Sequence, residues 1–140
     1  MTHTNILLVD DDLEDRFLIE DSFKEIGVSD VLHFEENGEN ALNFLEQSYF
    51  NGTLPCLIIL DLNMPKMNGT QILRFLKGND KFIHIPVIIY STSLNAIEKE
   101  ECLRLGAYSY VIKPVFYKDS IDTAKMFYAL SQEFSATIKS

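Results

Sequence analysis

Four short stretches of the chain carry residues able to do chemistry. Asp10-Asp11-Asp12 follows one apolar run, Asp61 follows a second and precedes Asn63-Met64-Pro65, Ser91-Thr92 ends a third, and Lys113-Pro114 ends a fourth. Singly, each has a plainer role: an acidic triplet starts a helix, hydroxyls and a loop aspartate cap one, and Lys-Pro makes a turn. Gathered into one pocket they read differently, because crowded carboxylates repel strongly unless a hard divalent cation neutralises them. Mg2+ meets that need. With the cation in place the Asp61 carboxylate can attack a phosphorus atom, while the cation, the Lys113 ammonium and a Ser91 or Thr92 hydroxyl hold the equatorial oxygens as charge develops. The chemistry on offer is phosphoryl transfer.

These residues work together only if the fold gathers them. Leu57-Ile58-Ile59-Leu60, bounded by Pro55 and Pro65, has no polar alternation and suits a strand covered on both faces. Pro65 cannot donate a ladder hydrogen bond, so Asp61 stands at the carboxyl end of that strand, where open parallel sheets bind their ligands. Apolar runs alternate with helix-period stretches along the chain, giving strands expected at 5–9, 31–34, 57–60, 86–90 and 108–112. The expected helices span 12–26, ended by Gly27; a stretch after Asn37-Gly38 with Ala41, Leu42 and Leu45 inward; one carrying Ile72, Leu73 and Leu76 and stopping at Gly78; 95–105; and 118–138. Residues 48–55 are expected as a long loop. Parallel strands need helical crossovers, so the fold class expected is α/β: a doubly wound, five-stranded parallel sheet with helices on both faces. The order 2-1-3-4-5 is assigned by analogy with flavodoxin-like sheets. In that order the first, third, fourth and fifth strands point the four reactive stretches at one rim.

With these residues in place, the chain resembles a response-regulator receiver domain of two-component signalling. The residues that carry the resemblance are Leu7-Leu8-Val9-Asp10-Asp11, Asp61-Leu62-Asn63-Met64-Pro65 with Gly69, the Pro86 strand ending in Ser91, Gly106-Ala107, and Tyr110-Val111-Ile112-Lys113-Pro114. The resemblance implies that Asp61 is the phosphoacceptor for a histidine kinase, and that Mg2+ is held by Asp11, Asp61 and the Asn63 backbone carbonyl, with Asp10 acting through water. It also implies that Ser91 binds the phosphoryl group and switches rotamer, that Tyr110 swings inward in response, and that Lys113 pairs with the phosphate. The bond before Pro114 is then expected to be cis. Thr92 is larger than the usual residue, and Val115-Phe116 stands where Phe commonly comes first. Long stretches at 48–55 and 79–85 resemble single-domain regulators that partner phytochrome-type histidine kinases.

Composition bounds the alternatives. A length of 140 residues implies one domain, 46% apolar and 24% charged residues describe a globular chain, and a net charge of -9 argues against a duplex-binding surface. No run reaches a membrane span and no secretory leader opens the chain, so a cytoplasmic protein is expected, with Cys56 and Cys102 as reduced core residues. His3, His33 and His84 share no ligand spacing; Met64, Met67, Phe17, Phe23, Phe44 and Phe75 are expected as packing. A phosphatase of the haloacid dehalogenase type also uses a strand-end Asp with Mg2+, but needs a second Asp where this chain has Asn63, and an amide cannot shuttle a proton. A flavin-binding module is disfavoured because acidic loops repel the cofactor's phosphate.

The expectation is a single receiver domain over residues 1–140 without an output domain, signalling through contacts with a downstream protein target. The last helix carries two neighbouring apolar stripes, Ile121-Ala124-Tyr128 and Phe127-Leu130-Phe134, more than one flank of a sheet is expected to cover. A homodimer through the fourth helix, fifth strand and fifth helix is therefore expected.

Overall fold

In a computed structural model, which describes residues 6–139, each apolar run becomes a strand and each is followed by a helix. The order is β1 (Ile6–Val9), α1 (Leu13–Glu25), β2 (Leu32–Glu35), α2 (Gly38–Asn51), β3 (Leu57–Asp61), α3 (Gly69–Lys77), β4 (Val87–Ser91), α4 (Ala96–Arg104), β5 (Ser109–Ile112) and α5 (Tyr117–Lys139). The strands are all parallel and pair as β2-β1-β3-β4-β5, as expected. Asn5, at the expected start of β1, and His3 lie outside the described residues.

Alternation along the strands divides the core in two, because successive side chains leave opposite faces of a sheet. Leu7, Val9, Ile58, Leu60, Val87 and Ile89 pack with Ala41, Leu45, Ile72, Leu73, Leu76 and Cys102 beneath α2, α3 and α4. Ile6, Leu8, Leu57, Ile59, Ile88 and Tyr90 pack with Ile19, Phe23, Ala124 and Phe127 beneath α1 and α5. β1, β3 and β4 are buried at every position, which explains their lack of polar alternation.

Helix boundaries follow local chemistry. Asp12 caps α1 through the Glu14 and Asp15 N–H groups, Asn37 caps α2, and Asn95 caps α4. Asn68 and Gln71 form a capping box on α3, whose first residue, Gly69, sits so close to β3 that a Cβ there would lie 2.4 Å from the Asp61 carbonyl oxygen.

Several expectations need correction. The 48–55 loop is shorter, since α2 continues through a buried Ser48 to Asn51 and ends in left-handed Gly52. A 3-10 turn at Ser29–Val31 delays β2 by one residue. Phe17 and Phe75 are not core: they are 61% and 44% exposed, on helix faces turned from the sheet. Phe23 is fully buried, and Phe44 stacks on His33 at 3.9 Å between ring centroids. No cis peptide bond occurs among the described residues, so the Lys113-Pro114 bond is trans, the lower-energy form of an X-Pro amide.

The expected bare stripe on α5 is also corrected. Ser120, Ala124, Phe127 and Ser131 are fully buried at helical spacing, and the Phe127 ring meets Tyr90 edge-on at 5.5 Å. Tyr128, Leu130 and Phe134 are half-buried against the same cluster. Both stripes are used because α5 is covered from two sides, by the sheet and by α1, where the Ser22 and Ser120 hydroxyls meet at 2.7 Å.

Candidate functional site

The parallel ladder runs one step past the ends of two strands, with Asp10 N–H donating to the Glu35 carbonyl and Lys113 N–H to that of Ser91. Alternation therefore still governs these residues. Asp10 follows Ile6 and Leu8, Asp61 follows Leu57 and Ile59, and Lys113 follows Val111, so all three belong to the α1/α5 side of the sheet. Ser91 follows Val87 and Ile89 and belongs to the other side, as does Tyr110.

On the first side the charged groups converge. Lys113 Nζ lies 2.8 Å from Asp10 Oδ2, 2.8 Å from Asp15 Oδ2 and 3.5 Å from Asp61 Oδ1. Asp10, Asp61 and Lys113 are buried, whereas Asp11 is exposed at the mouth. Asp10 Oδ1 accepts from Asp12 N–H at 2.9 Å and Asp61 Oδ1 from Asn63 N–H at 3.3 Å. Burial first, and then the negative charge of Asp10, push the Asp61 carboxyl up to about 7. Burial likewise raises Asp10. For Lys113 burial acts to lower the pKa, but its bonds to Asp10 and Asp15 outweigh that and hold the ammonium protonated.

Asp10, Asp11 and Asp61 each offer a carboxylate oxygen, all within 4.8 Å of one another. Asp10 Oδ2 is buried without a well-directed hydrogen bond, although Lys113 Nζ is close by. An oxygen-only donor set with such an orphaned anionic atom fits a hard divalent cation. A groove of about 440 Å³, bordered by Asp11, Asn37, Gly38, Pro65, Lys66 and Met67, opens beside Asp11. A larger one, about 640 Å³ on the outer face of α1, touches none of these site residues.

On the second side the groups are hydroxyls. Ser91 is buried, and its Oγ lies 3.3 Å from both the N–H and the carbonyl oxygen of Ser93. The Tyr110 hydroxyl donates to the same Ser93 carbonyl at 2.9 Å, with its ring half-buried against the core. Thr92 is exposed.

The sequence-derived set is thus brought to one rim, divided by the sheet into a charged and a hydroxyl group. Sequence reasoning missed Asp15 and Ser93. Asp15 belongs to none of the four reactive stretches; the signal was its place in the first turn of α1, three residues after the acidic triplet, where a helix still abuts the strand end.

Comparison with known proteins agrees with this geometry. Residues 6–125 match the family model of the response regulator receiver domain. Response regulator Rcp1 of Synechocystis sp. is 34% identical over 116 residues, covering 81% of this chain and 79% of that protein. Among solved structures, the phosphorylated cyanobacterial phytochrome response regulator RcpA is 30% identical with a TM-score of 0.80, covering 90% and 91% of the two chains. The Mn2+-bound form of Rcp1 is 32% identical with a TM-score of 0.75, covering 86% and 88%.

Proposed function

Because this chain belongs to the response regulator receiver family, we propose that it takes a phosphoryl group from a histidine kinase onto Asp61 and signals through altered protein contacts. The observation that carries the reading is the convergence on Asp61 of a buried ammonium and two further carboxylates at a strand-end rim. The family is one of signalling receivers rather than classical enzymes, and the phosphatase alternative is set aside, since Asn63 supplies no second acid.

Asp10, Asp11, Asp61 and the Asn63 carbonyl are the groups proposed to hold Mg2+, which when bound supplies positive charge against the phosphoryl oxygens. Rcp1, which is similar to this chain, has a Mn2+-bound form, and this supports a divalent ion in such a site. Asp61 is the nucleophile: its oxygen forms the bond to phosphorus as the bond to the donor's leaving group breaks, and the leaving group departs with that electron pair. Lys113 and Ser91 meet the transferred oxygens from opposite sides of the sheet. To donate to them the Ser91 hydroxyl gives up its bond to the Ser93 carbonyl, the acceptor it shares with Tyr110, and this is proposed to alter the loop before α4.

The kinase is proposed to dock where Leu13, Phe17, Val115 and Phe116 expose apolar surface around the rim, and relatives that are phytochrome regulators support a phytochrome-type partner. A homodimer through α4, β5 and α5 is retained as a proposal, using Ile97, Tyr108 and Ile112, at 78%, 50% and 41% exposure, in place of the buried Phe127. A cytoplasmic setting is proposed, where the thiol of the buried Cys102 stays reduced; among the described residues no helix is long and apolar enough to cross a membrane. The test of the central reaction is borohydride trapping after incubation with acetyl phosphate and Mg2+. Conversion of Asp61 to homoserine is expected, and conversion at any other aspartate instead would overturn the assignment.

A further inference from the structure

The best-formed bond of Lys113 is not to Asp61. Its ammonium reaches from the end of β5 across β4 and β3 and donates to Asp15 Oδ2 of α1 at 2.8 Å, whereas Asp61 Oδ1 is 3.5 Å away, beyond a good hydrogen bond. We propose that Asp15, which lies outside every motif that carries the family resemblance, is a positioning residue that competes with the phosphorylated Asp61 for Lys113 and so opposes phosphorylation. This rests on Asp61 being the phosphoacceptor.

The physical case has three parts. A phosphoryl group on Asp61 places new acceptor oxygens and added negative charge in the gap between Asp61 and Lys113, so the ammonium is drawn away from Asp15. Asp15 can be left behind at little cost, because its side chain is 28% exposed and water can replace the lysine. Its backbone stays fixed, since its N–H is held by Asp12 Oδ1 at 3.1 Å. The Lys113–Asp15 bond is therefore present before phosphorylation and weakened after it, and stabilises the unphosphorylated state by the difference. A carboxylate that merely held Lys113 ready for the phosphate would have the opposite sign, its loss weakening the phosphorylated state.

Beryllofluoride, which mimics a phosphoryl group on a carboxylate, and Mg2+ are the probes, titrated calorimetrically into wild type, Asp15→Asn, Lys113→Ala and the double variant. Asp15→Asn is expected to bind beryllofluoride roughly three- to tenfold more tightly, in keeping with one partly exposed ionic hydrogen bond. It is also expected to bind Mg2+ about two- to threefold more weakly, because the freed ammonium settles against Asp61. In the Lys113→Ala background the Mg2+ effect of Asp15→Asn should vanish, which separates competition for the lysine from the loss of a nearby negative charge. Equal or weaker beryllofluoride binding by Asp15→Asn, or an undiminished Mg2+ effect without Lys113, would overturn the proposal. If wild type itself fails to bind beryllofluoride with Mg2+, the assignment of Asp61 fails, and the proposal with it.

Discussion

The two sides of the sheet treat the same rim differently. Toward α1 and α5 stand the ionisable side chains of Asp10, Asp61, Lys113 and Asp15, with the Lys113 ammonium 2.8 Å from Asp10 and Asp15 and 3.5 Å from Asp61. Toward α4 stand Ser91 and Tyr110, neutral hydroxyls that meet on one loop residue, Ser93, at 2.9 to 3.3 Å. Charges fixed in a buried place are suited to chemistry, because they are already arranged where new charge will develop. Hydroxyls sharing one carbonyl on an exposed loop are suited to change, because each bond is modest and can be exchanged. The separation follows from strand alternation alone, so one five-stranded sheet keeps the reacting groups and the responding groups apart by a single residue of register.

Crossing that division should have the largest effect. Lys113→Ala is expected to leave Mg2+ binding nearly intact, yet to abolish the response of Tyr110 to beryllofluoride, read as the change in its ring resonances. A wild-type response at Tyr110 in this variant would mean that the charged side is not needed to inform the hydroxyl side.

A smaller effect follows from protonation. With the Asp61 carboxyl pushed up to about 7, protons compete with Mg2+ below that pH, so apparent Mg2+ affinity should fall by up to about tenfold per pH unit there. The sign for folding is opposite: without metal, folded Asp61 keeps a proton between about pH 4 and 7 that the unfolded chain releases, so stability falls as pH rises through this window. Calorimetric Mg2+ titrations and thermal unfolding from pH 5 to 8 check both directions; an affinity flat across pH 7 would remove Asp61 from the cation site.

The smallest effect is expected on the hydroxyl side. Tyr110→Phe loses one bond to the Ser93 carbonyl, which is about 0.5–1.5 kcal/mol of local stability, and should leave phosphoryl uptake within about twofold of wild type. A tenfold loss of uptake would place Tyr110 among the reacting groups.

The sheet and the rim were legible in the sequence because buried parallel strands are written as unbroken apolar runs, and because Pro65 and the polar residues after each run mark where the strands end. Asp10, Asp61, Ser91 and Lys113 could therefore be placed at the strand ends from sequence. What was not legible depended on neighbours far away along the chain. The stripes of α5 looked excessive because the packing of α1 against it, through Ser22 and Ser120, leaves no local trace. Phe17 and Phe75 read as core from their type alone, though they face outward. Beyond its place in the first turn, Asp15 carried no signal of its own, since its partner stands 98 residues away.

The most direct test of the whole arrangement is whether one carboxylate, at the end of β3, receives the phosphoryl group. Wild type and Asp61→Asn would be incubated with acetyl phosphate, with and without Mg2+, and followed by intact mass. Wild type is expected to gain a single phosphoryl group only with Mg2+, and Asp61→Asn none. Uptake by Asp61→Asn at the wild-type rate would contradict it.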